Sequence, residues 1–279
     1  MKKKVAIVGF GVCGRVAALM LAQHYDVHVF ERDDASALNS AGHVAAAMLS
    51  PLAESVHAST EVVKLGVESL ALWPRLLALF DGDTLLQQAG TVVVAHNQDK
   101  GAMTHFSQHL KPHPTSPHAP LSVNNAHLGE LEPELAPRFN GGLYLPGEGQ
   151  LDNLGFYQHS YQYLQQQGVS FHFNSQVSPE QLCDLDFYSV LDCRGVGAKS
   201  EIKLRGVRGE VARVVAPQVS LSRPVRLMHP RYPIYIAPKA QHRYVIGATE
   251  VESQDLRPTT VRSALELLSA AYSVHSGFA

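Results

Sequence analysis

Gly9, Gly11 and Gly14 are spaced so that the chain can wrap a pyrophosphate, and Glu31 follows seventeen residues after the last of them. In such a turn the first glycine permits a sharp reversal and the second lets backbone N–H groups approach phosphate oxygens. The third removes the side chain that would hold a helix off a sheet. A helix N-terminus then offers unpaired N–H groups and a partial positive charge to the phosphates. An acid at the end of the next strand accepts the ribose hydroxyls of an adenosine. Glycine spacing alone is a weak signal, because turns use glycine for structural reasons. Here the context is ordered: an apolar run at residues 5–8, the glycines, an Ala/Leu-rich stretch from Arg15 to His24, and a second apolar run at 27–30 that ends on Glu31. The chemistry these residues point to is recognition of a dinucleotide.

Two other groups of residues could do chemistry, and both read as structural. His105, His109, His113, His118 and His127 are interleaved with Pro112, Pro114, Pro117 and Pro120. Neither a cysteine nor a paired carboxylate completes a ligand set, so an extended solvated loop is expected and no metal. Cys13, Cys183 and Cys193 lack metal spacing and read as small buried residues in a reducing compartment.

The elements that must position the nucleotide turn follow from the pattern of the chain. At 279 residues there is room for one large domain or two ordinary ones. A net charge of −2 with dispersed acids and bases gives neither a nucleic-acid footprint nor a membrane-binding surface. Lys2, Lys3 and Lys4 resemble the start of a signal peptide, but too few apolar residues follow, and no stretch reaches transmembrane length. The small apolar run at 40–51 reads as a buried helix start, or as backbone able to lie against a flat ring system. Apolar spacing predicts a helix over 60–80, kinked or divided at Pro74. A strand is expected over 88–96 and another over 141–146. Asp152 should cap a helix over 153–167 that Gly168 ends. Strands at 169–173 and 189–193 follow, the second running into a glycine turn at 194–198 on the ligand-binding edge of a parallel sheet. After Lys203, short strands at 207–215, 225–228, 233–238 and 244–247 suggest antiparallel pairing. Pro258 and Thr259 should open a last helix. The expected fold class is α/β. A doubly wound, Rossmann-like nucleotide domain covers 1–85 and 146–203. It is interrupted by a mainly antiparallel β substrate domain over 86–145 and 204–258, and the helix of 259–279 leads back to the first domain.

Over nearly its whole length the chain resembles the FAD-dependent D-amino-acid oxidase family, most closely its glycine oxidase branch associated with thiamine biosynthesis. The resemblance rests on the glycine turn with Glu31, on residues 45–51 (AAAMLSP), on 147–153 (GEGQLDN) and on 192–195 (DCRG). It rests further on 205–210 (RGVRGE) and on 235–238 (YIAP) followed by 245–249 (VIGAT). It implies FAD held by Gly9, Gly11, Val12, Cys13, Gly14, Glu31, Arg32, Ala45, Ala46, Ala47, Met48, Val177, Cys193 and Gly195. It also implies Tyr235 as the catalytic-site residue that binds the substrate carboxylate. On pattern alone Tyr235 reads first as a sheet tyrosine with a polar edge. In an alternating strand it shares a face with Pro233 and Ala237, opposite Ile234 and Ile236. Ala47 stands where relatives often have glycine.

The activity implied is oxidation of glycine or another small amino acid to an imine, with O2 reduced to H2O2, for thiamine thiazole synthesis in the cytoplasm. The partners implied are the amino acid and O2, with no nucleic acid and no membrane; a second copy of the chain is a further candidate partner. One alternative is the related flavin oxidase that trims a carboxymethylaminomethyl group from a tRNA base. Another is a non-catalytic, truncated remnant. Relatives continue past the last helix into a Gly-Leu-Arg-Pro-like segment, whose arginine grips the substrate carboxylate, and a glycine-rich closing turn. Neither follows Tyr272, so the 279 residues alone are expected to retain little FAD and no activity with glycine. Arg205, Arg208 and Arg231 read as ordinary strand or loop arginines.

Overall fold

The computed structural model describes residues 2–111 and 119–279. In chain order the first strands are β1 (Lys4–Val8), β2 (Asp26–Phe30), β3 (Met48–Leu49), β4 (Leu86–Gln87), β5 (Thr91–Val94), β6 (Leu121–Asn124) and β7 (Gly141–Leu145). They are followed by β8 (Gly149–Leu151), β9 (Ser170–His172), β10 (Ser189–Asp192), β11 (Val211–Val215), β12 (Val225–Leu227), β13 (Ile234–Lys239) and β14 (Arg243–Gly247). The helices are α1 (Val12–Leu21), α2 (Ala41–Val44), α3 (Pro51–Glu54), α4 (Thr60–Leu77) and α5 (Lys100–His109). They continue with α6 (Asn125–Leu131), α7 (Asn153–Gln166), α8 (Pro179–Cys183) and α9 (Val261–Val274). Two compact units result. The first comprises Met1–Ala45, Arg75–Leu85 and Asp152–Gly206, and the second Ala46–Pro74, Leu86–Leu151 and Val207–Ala279.

In the first unit β10, β1, β2 and β9 form a parallel sheet in that order. Val5, Ala6, Ile7 and Val8 are all buried, as a central parallel strand covered on both faces requires. A three-residue turn leads into α1, whose buried residues are Gly14, Arg15, Ala18 and Leu19, the stripe expected of a helix lying on a core. The Asp152 side chain accepts the Gly155 N–H at 3.2 Å and so caps α7 as expected, while Gly168 at φ 79 lets the chain turn away after it. Val8 of β1 and Asp192 of β10 are register partners, so the two glycine turns leave the sheet side by side at its C-terminal edge.

The second unit holds a sheet in the order β11-β14-β13-β12-β5-β7-β6, antiparallel except between β12 and β5. One face packs against α9, joining Leu267, Ala271 and Val274 to Val225, Leu227, Ile234, Ile236 and Ile246. A small sheet, β3-β8-β4, ties residues 46–49 and 86–87 to 149–151. Pro74 does not divide α4. It lacks the N–H that would bond the Leu70 carbonyl, and Gln88 Nε2 donates to that carbonyl instead at 3.1 Å.

Several features depart from the sequence-based expectation. Residues 46–74 and 146–151 pack with the second unit through the β3-β8-β4 sheet, and 259–279 belongs there because α9 covers β11, β13 and β14. The run at 40–51 is not one buried helix start: α2 ends at Val44, and the chain extends through Ala45 into β3. His105 and His109 lie on α5 and His127 on α6, so those parts of the expected loop are helical. No proline interrupts 100–109, and Phe106 anchors α5 against Leu52, Val93 and Leu145. His113 and His118 lie outside the described residues. Among the described residues no three His, Cys, Asp or Glu gather as a metal site would need, and no helix is long and apolar enough to cross a membrane.

Candidate active site

The first unit places the nucleotide turn where the sheet ends. Gly9 has φ 97, and a Cβ there would stand 2.6 Å from the carbonyl oxygen of Cys193, so the turns after β1 and β10 touch. A Cβ on Gly14 would collide with the Gly9 carbonyl, which explains why the third glycine is needed. Gly11 caps α1 without a side-chain hydrogen bond, and no acid stands in the first helical turn. The nearest neighbour of a Cβ on Gly11 would be Ser40 Oγ at 3.7 Å, which leaves free space over the helix start. Val12 and Cys13 are exposed beside it, and the cysteines are not the small buried residues expected, since Cys183 is also exposed and Cys193 only half-buried.

Glu31 follows the last residue of β2, with both oxygens engaged. Oε2 accepts the Phe10 N–H at 2.6 Å and Oε1 the Asp33 N–H at 3.1 Å. The carboxylate therefore braces the turn from within while forming its rim. Arg32 is exposed and lies 3.6 Å from Asp33, and Val177 packs in the cluster of Ala6, Val8 and Leu182. Cys193 is half-buried. Burial first, then Cys13 and Asp192, pushes its thiol up to about 11. Arg194 folds back onto Asp192 with bonds of 2.9 and 2.8 Å. Gly195, at φ 57, is exposed, and a Cβ there would meet open space.

Two residues that sequence reasoning did not single out hold this edge in place. Arg15 is fully buried between the rings of Phe10 and Tyr157, at 3.9 and 4.2 Å, and Nη1 donates to the Tyr157 carbonyl at 2.7 Å. Burial lowers its pKa to about 10, so it stays cationic at neutral pH. Its signal in the sequence was position alone, a charge on the same helical face as Ala18 and Leu19. Asn153, at the start of α7, donates through Nδ2 to the carbonyls of Gly42, His43 and Ala45 at 2.8, 2.9 and 3.0 Å.

The second unit gathers Ala46, Met48, Val211, Tyr235, Ala237 and Val245 into one cluster on the sheet face opposite α9. The alternation expected along β13 holds there, with Ile234 and Ile236 buried on the α9 side. Ala47 has φ 55, a left-handed conformation that favours glycine and accounts for the residue type expected of relatives. Lys239 Nζ donates to the carbonyls of Ala46 and Leu151 at 2.8 and 2.9 Å, fixing the small-residue run from below. The Tyr235 ring lies over its cross-strand neighbour Gly247, where a Cβ would come 2.6 Å from the phenol oxygen. Burial raises the phenol pKa, opposed by the charge of Arg226. Arg226 is ion-paired with Glu54. Behind them, fully buried Glu148 accepts the Ala53 N–H at 2.8 Å, and burial pushes its carboxyl up to about 7. None of Arg226, Glu54 or Glu148 carried a spacing signal, because they come from three separate segments.

A parallel sheet with a glycine turn at its first strand-to-helix junction and an acid ending its second strand defines a dinucleotide-binding protein of the Rossmann class. The turn fits FAD, since backbone donors, free space over Gly11 and a fixed rim acid are all present. The chain belongs to the DAO family of FAD dependent oxidoreductases, which it matches over residues 4–279. It is thus an FAD-dependent redox enzyme. It is 35% identical over 277 residues to a Rhizobium etli protein assigned as a thiamine biosynthesis oxidoreductase, ThiO, covering 99% of this chain and 80% of that one. Glycine oxidase from Geobacillus kaustophilus superposes with a TM-score of 0.75 at 23% identity, covering 99% of this chain and 79% of that one. Glycine oxidase from Bacillus cereus gives 0.77 at 22% identity, covering 98% and 80%. These structures share the fold.

Proposed function

We propose that the protein oxidises glycine or another small amino acid at its Cα–N bond, giving an imine that water hydrolyses, and that it serves thiamine thiazole synthesis in the cytoplasm. FAD held at the nucleotide turn would supply the two-electron redox chemistry, with O2 as the final acceptor and hydrogen peroxide as the by-product. The chain's own residues bind and orient. In this reading the first unit is the flavin-binding domain. The backbone at Gly9, Gly11, Val12, Cys13 and Gly14 holds the pyrophosphate, with Cys193 and Gly195 on the same edge, and Glu31, Arg32 and Val177 border the adenosine. The backbone of Ala45, Ala46, Ala47 and Met48 would border the ring system. Tyr235 donates its phenol O–H to the substrate carboxylate, which positions Cα for transfer.

The observation that carries the reading is the cluster of Ala46, Ala237 and Val245, against which both Tyr235 and Met48 pack. The assignment of the Rhizobium etli relative supports the place in thiamine synthesis. The flavin-loaded protein should yield peroxide with glycine. Tyr235→Phe should raise KM for glycine by about tenfold while lowering kcat less, because a carboxylate contact is made in ground and transition states alike. Ethylamine, which has no carboxylate, should be oxidised equally by both forms. A stoichiometrically flavinated protein that gives no peroxide with glycine or alanine would refute the reading.

A further inference from the structure

Arg15 is the largest side chain that the fold buries completely, and it is charged. Its Nη1 donates to the Tyr157 carbonyl at 2.7 Å and to Ser160 Oγ at 3.3 Å. Nε and Nη2 are buried and have no hydrogen-bond partner among the described residues. The rings of Phe10 and Tyr157 lie against the guanidinium and hold it in place, but they carry no net charge. Phe171, Phe173 and Tyr161 pack on Phe10 in turn, so the surroundings screen a charge poorly. After burial itself and Tyr157, the group that acts most on this cation is the Glu31 carboxylate, whose two oxygens are taken up by the Phe10 and Asp33 N–H groups. A buried cation with two unused donors is costly to the fold that carries it. Nothing in the glycine spacing asks for that cost. The position faces the core on the stripe of Ala18 and Leu19, where an apolar residue would serve the packing.

The neighbours of the guanidinium are also the neighbours of the nucleotide turn. Phe10 stands inside the turn, between Gly9 and Gly11. The Tyr157 hydroxyl lies 2.6 Å from Ser40 Oγ, which stands 3.7 Å from the position of a Cβ on Gly11. We propose that Arg15 is the buried counter-charge of the bound dinucleotide: it attracts the diphosphate at the turn through space, and it destabilises the fold when no nucleotide is bound. The inference rests on the placement of FAD at the glycine turn proposed above, and not on which amine is oxidised. Backbone N–H groups at the start of α1 supply the hydrogen bonds to phosphate that any such turn offers. Arg15, being fully buried, reaches no ligand directly and adds a fixed charge beneath them. Side chains rather than water separate that charge from the turn, so salt screens the attraction little.

The test is binding and stability of the purified protein. Arg15→Met keeps the length of the side chain and removes its charge. It should weaken FAD about tenfold, followed by quenching of flavin fluorescence, and weaken ADP by a similar factor in calorimetry, because both carry the diphosphate. The factor should hardly change between low and high salt. In the apo form the same variant should raise the urea midpoint, since an apolar side chain replaces a buried unpaired charge. Arg15→Lys keeps the cation and should restore most of the affinity without that gain in stability. Loss of affinity together with a gain of apo stability is the signature. If Arg15 only rivets α1 to α7, Arg15→Met lowers the apo midpoint and leaves both dissociation constants unchanged, and the proposal falls. It falls also if the FAD effect vanishes at high salt, if ADP is unaffected, or if Arg15→Met cannot fold, since the cation would then support the fold. Gly11→Val checks the placement separately. The fold admits it, because φ is −70 and a Cβ there meets Ser40 Oγ at no less than 3.7 Å, yet it should abolish binding of FAD and ADP. Binding that survives Gly11→Val, or none by the unaltered protein, would overturn the placement and the inference together. Binding lost in Gly11→Val and untouched by Arg15→Met would overturn the inference alone.

Discussion

Glu31 does two things with one carboxylate. Its oxygens accept the N–H groups of Phe10 and Asp33, so the residue that rims the nucleotide turn also shapes it. In Glu31→Gln an NH2 group must face one of those donors, leaving a backbone N–H unpaired. The expected result is a loss of FAD affinity on the order of 1 to 3 kcal/mol together with a loss of apo stability of about 1 kcal/mol. Flavin-quenching titration and urea midpoints of the apo form measure the two separately. An unchanged midpoint would mean that the backbone bonds contribute nothing and that Glu31 serves the ligand alone.

At the scale of elements, α7 organises the loop that precedes the small-residue run. A single amide, Asn153 Nδ2, gathers the carbonyls of three residues, and Ser40 Oγ lies 2.6 Å from the Tyr157 hydroxyl one turn further along the helix. Asn153→Ala removes one donor from all three carbonyls and should destabilise the protein by about 1 to 3 kcal/mol, the range for lost buried hydrogen bonds. Limited proteolysis should then cut first within 40–47. Cleavage elsewhere with an intact loop would show that the amide is dispensable. The same contrast explains what was legible beforehand. The β1–turn–α1–β2 unit could be read because its glycines, its periodicity and its terminal acid are contiguous, and the orientation of Tyr235 followed from alternation along one strand. Arg226, Glu54 and Glu148 could not be read, since strand register and the packing of α3 alone bring them together. The helix α5 was missed because prolines just beyond it coloured the reading of 100–109.

For the whole molecule the buried Glu148 links stability to pH. Burial raises its pKa above the usual 4.5 to about 7, so the folded state holds this proton more tightly than the unfolded chain does. The stability it contributes is therefore fully present below pH 4.5 and is lost as pH rises through about 7. At about 1.4 kcal/mol per pH unit the change is on the order of 3 kcal/mol, with the opposing charge of Arg226 already contained in the shift. Denaturation midpoints of the unaltered protein should fall relative to those of Glu148→Gln between about pH 5 and pH 8. Parallel curves across that range would show that Glu148 does not titrate there.

The proposed reaction releases peroxide, which would expose the protein's own sulfur to oxidation, and only the thiolate reacts readily. With its pKa near 11, Cys193 at the sheet edge keeps roughly one thiol in ten thousand ionised at pH 7. The same burial that packs the turn thus shields it chemically. After incubation with added peroxide, mass spectrometry should find sulfinic or sulfonic acid at exposed Cys13 and Cys183 well before Cys193. Equal modification at all three would show that the shield fails. If it holds, Cys193 in the turn after β10 outlasts both exposed thiols, and ageing under turnover begins at Cys183 and at Cys13 on the start of α1.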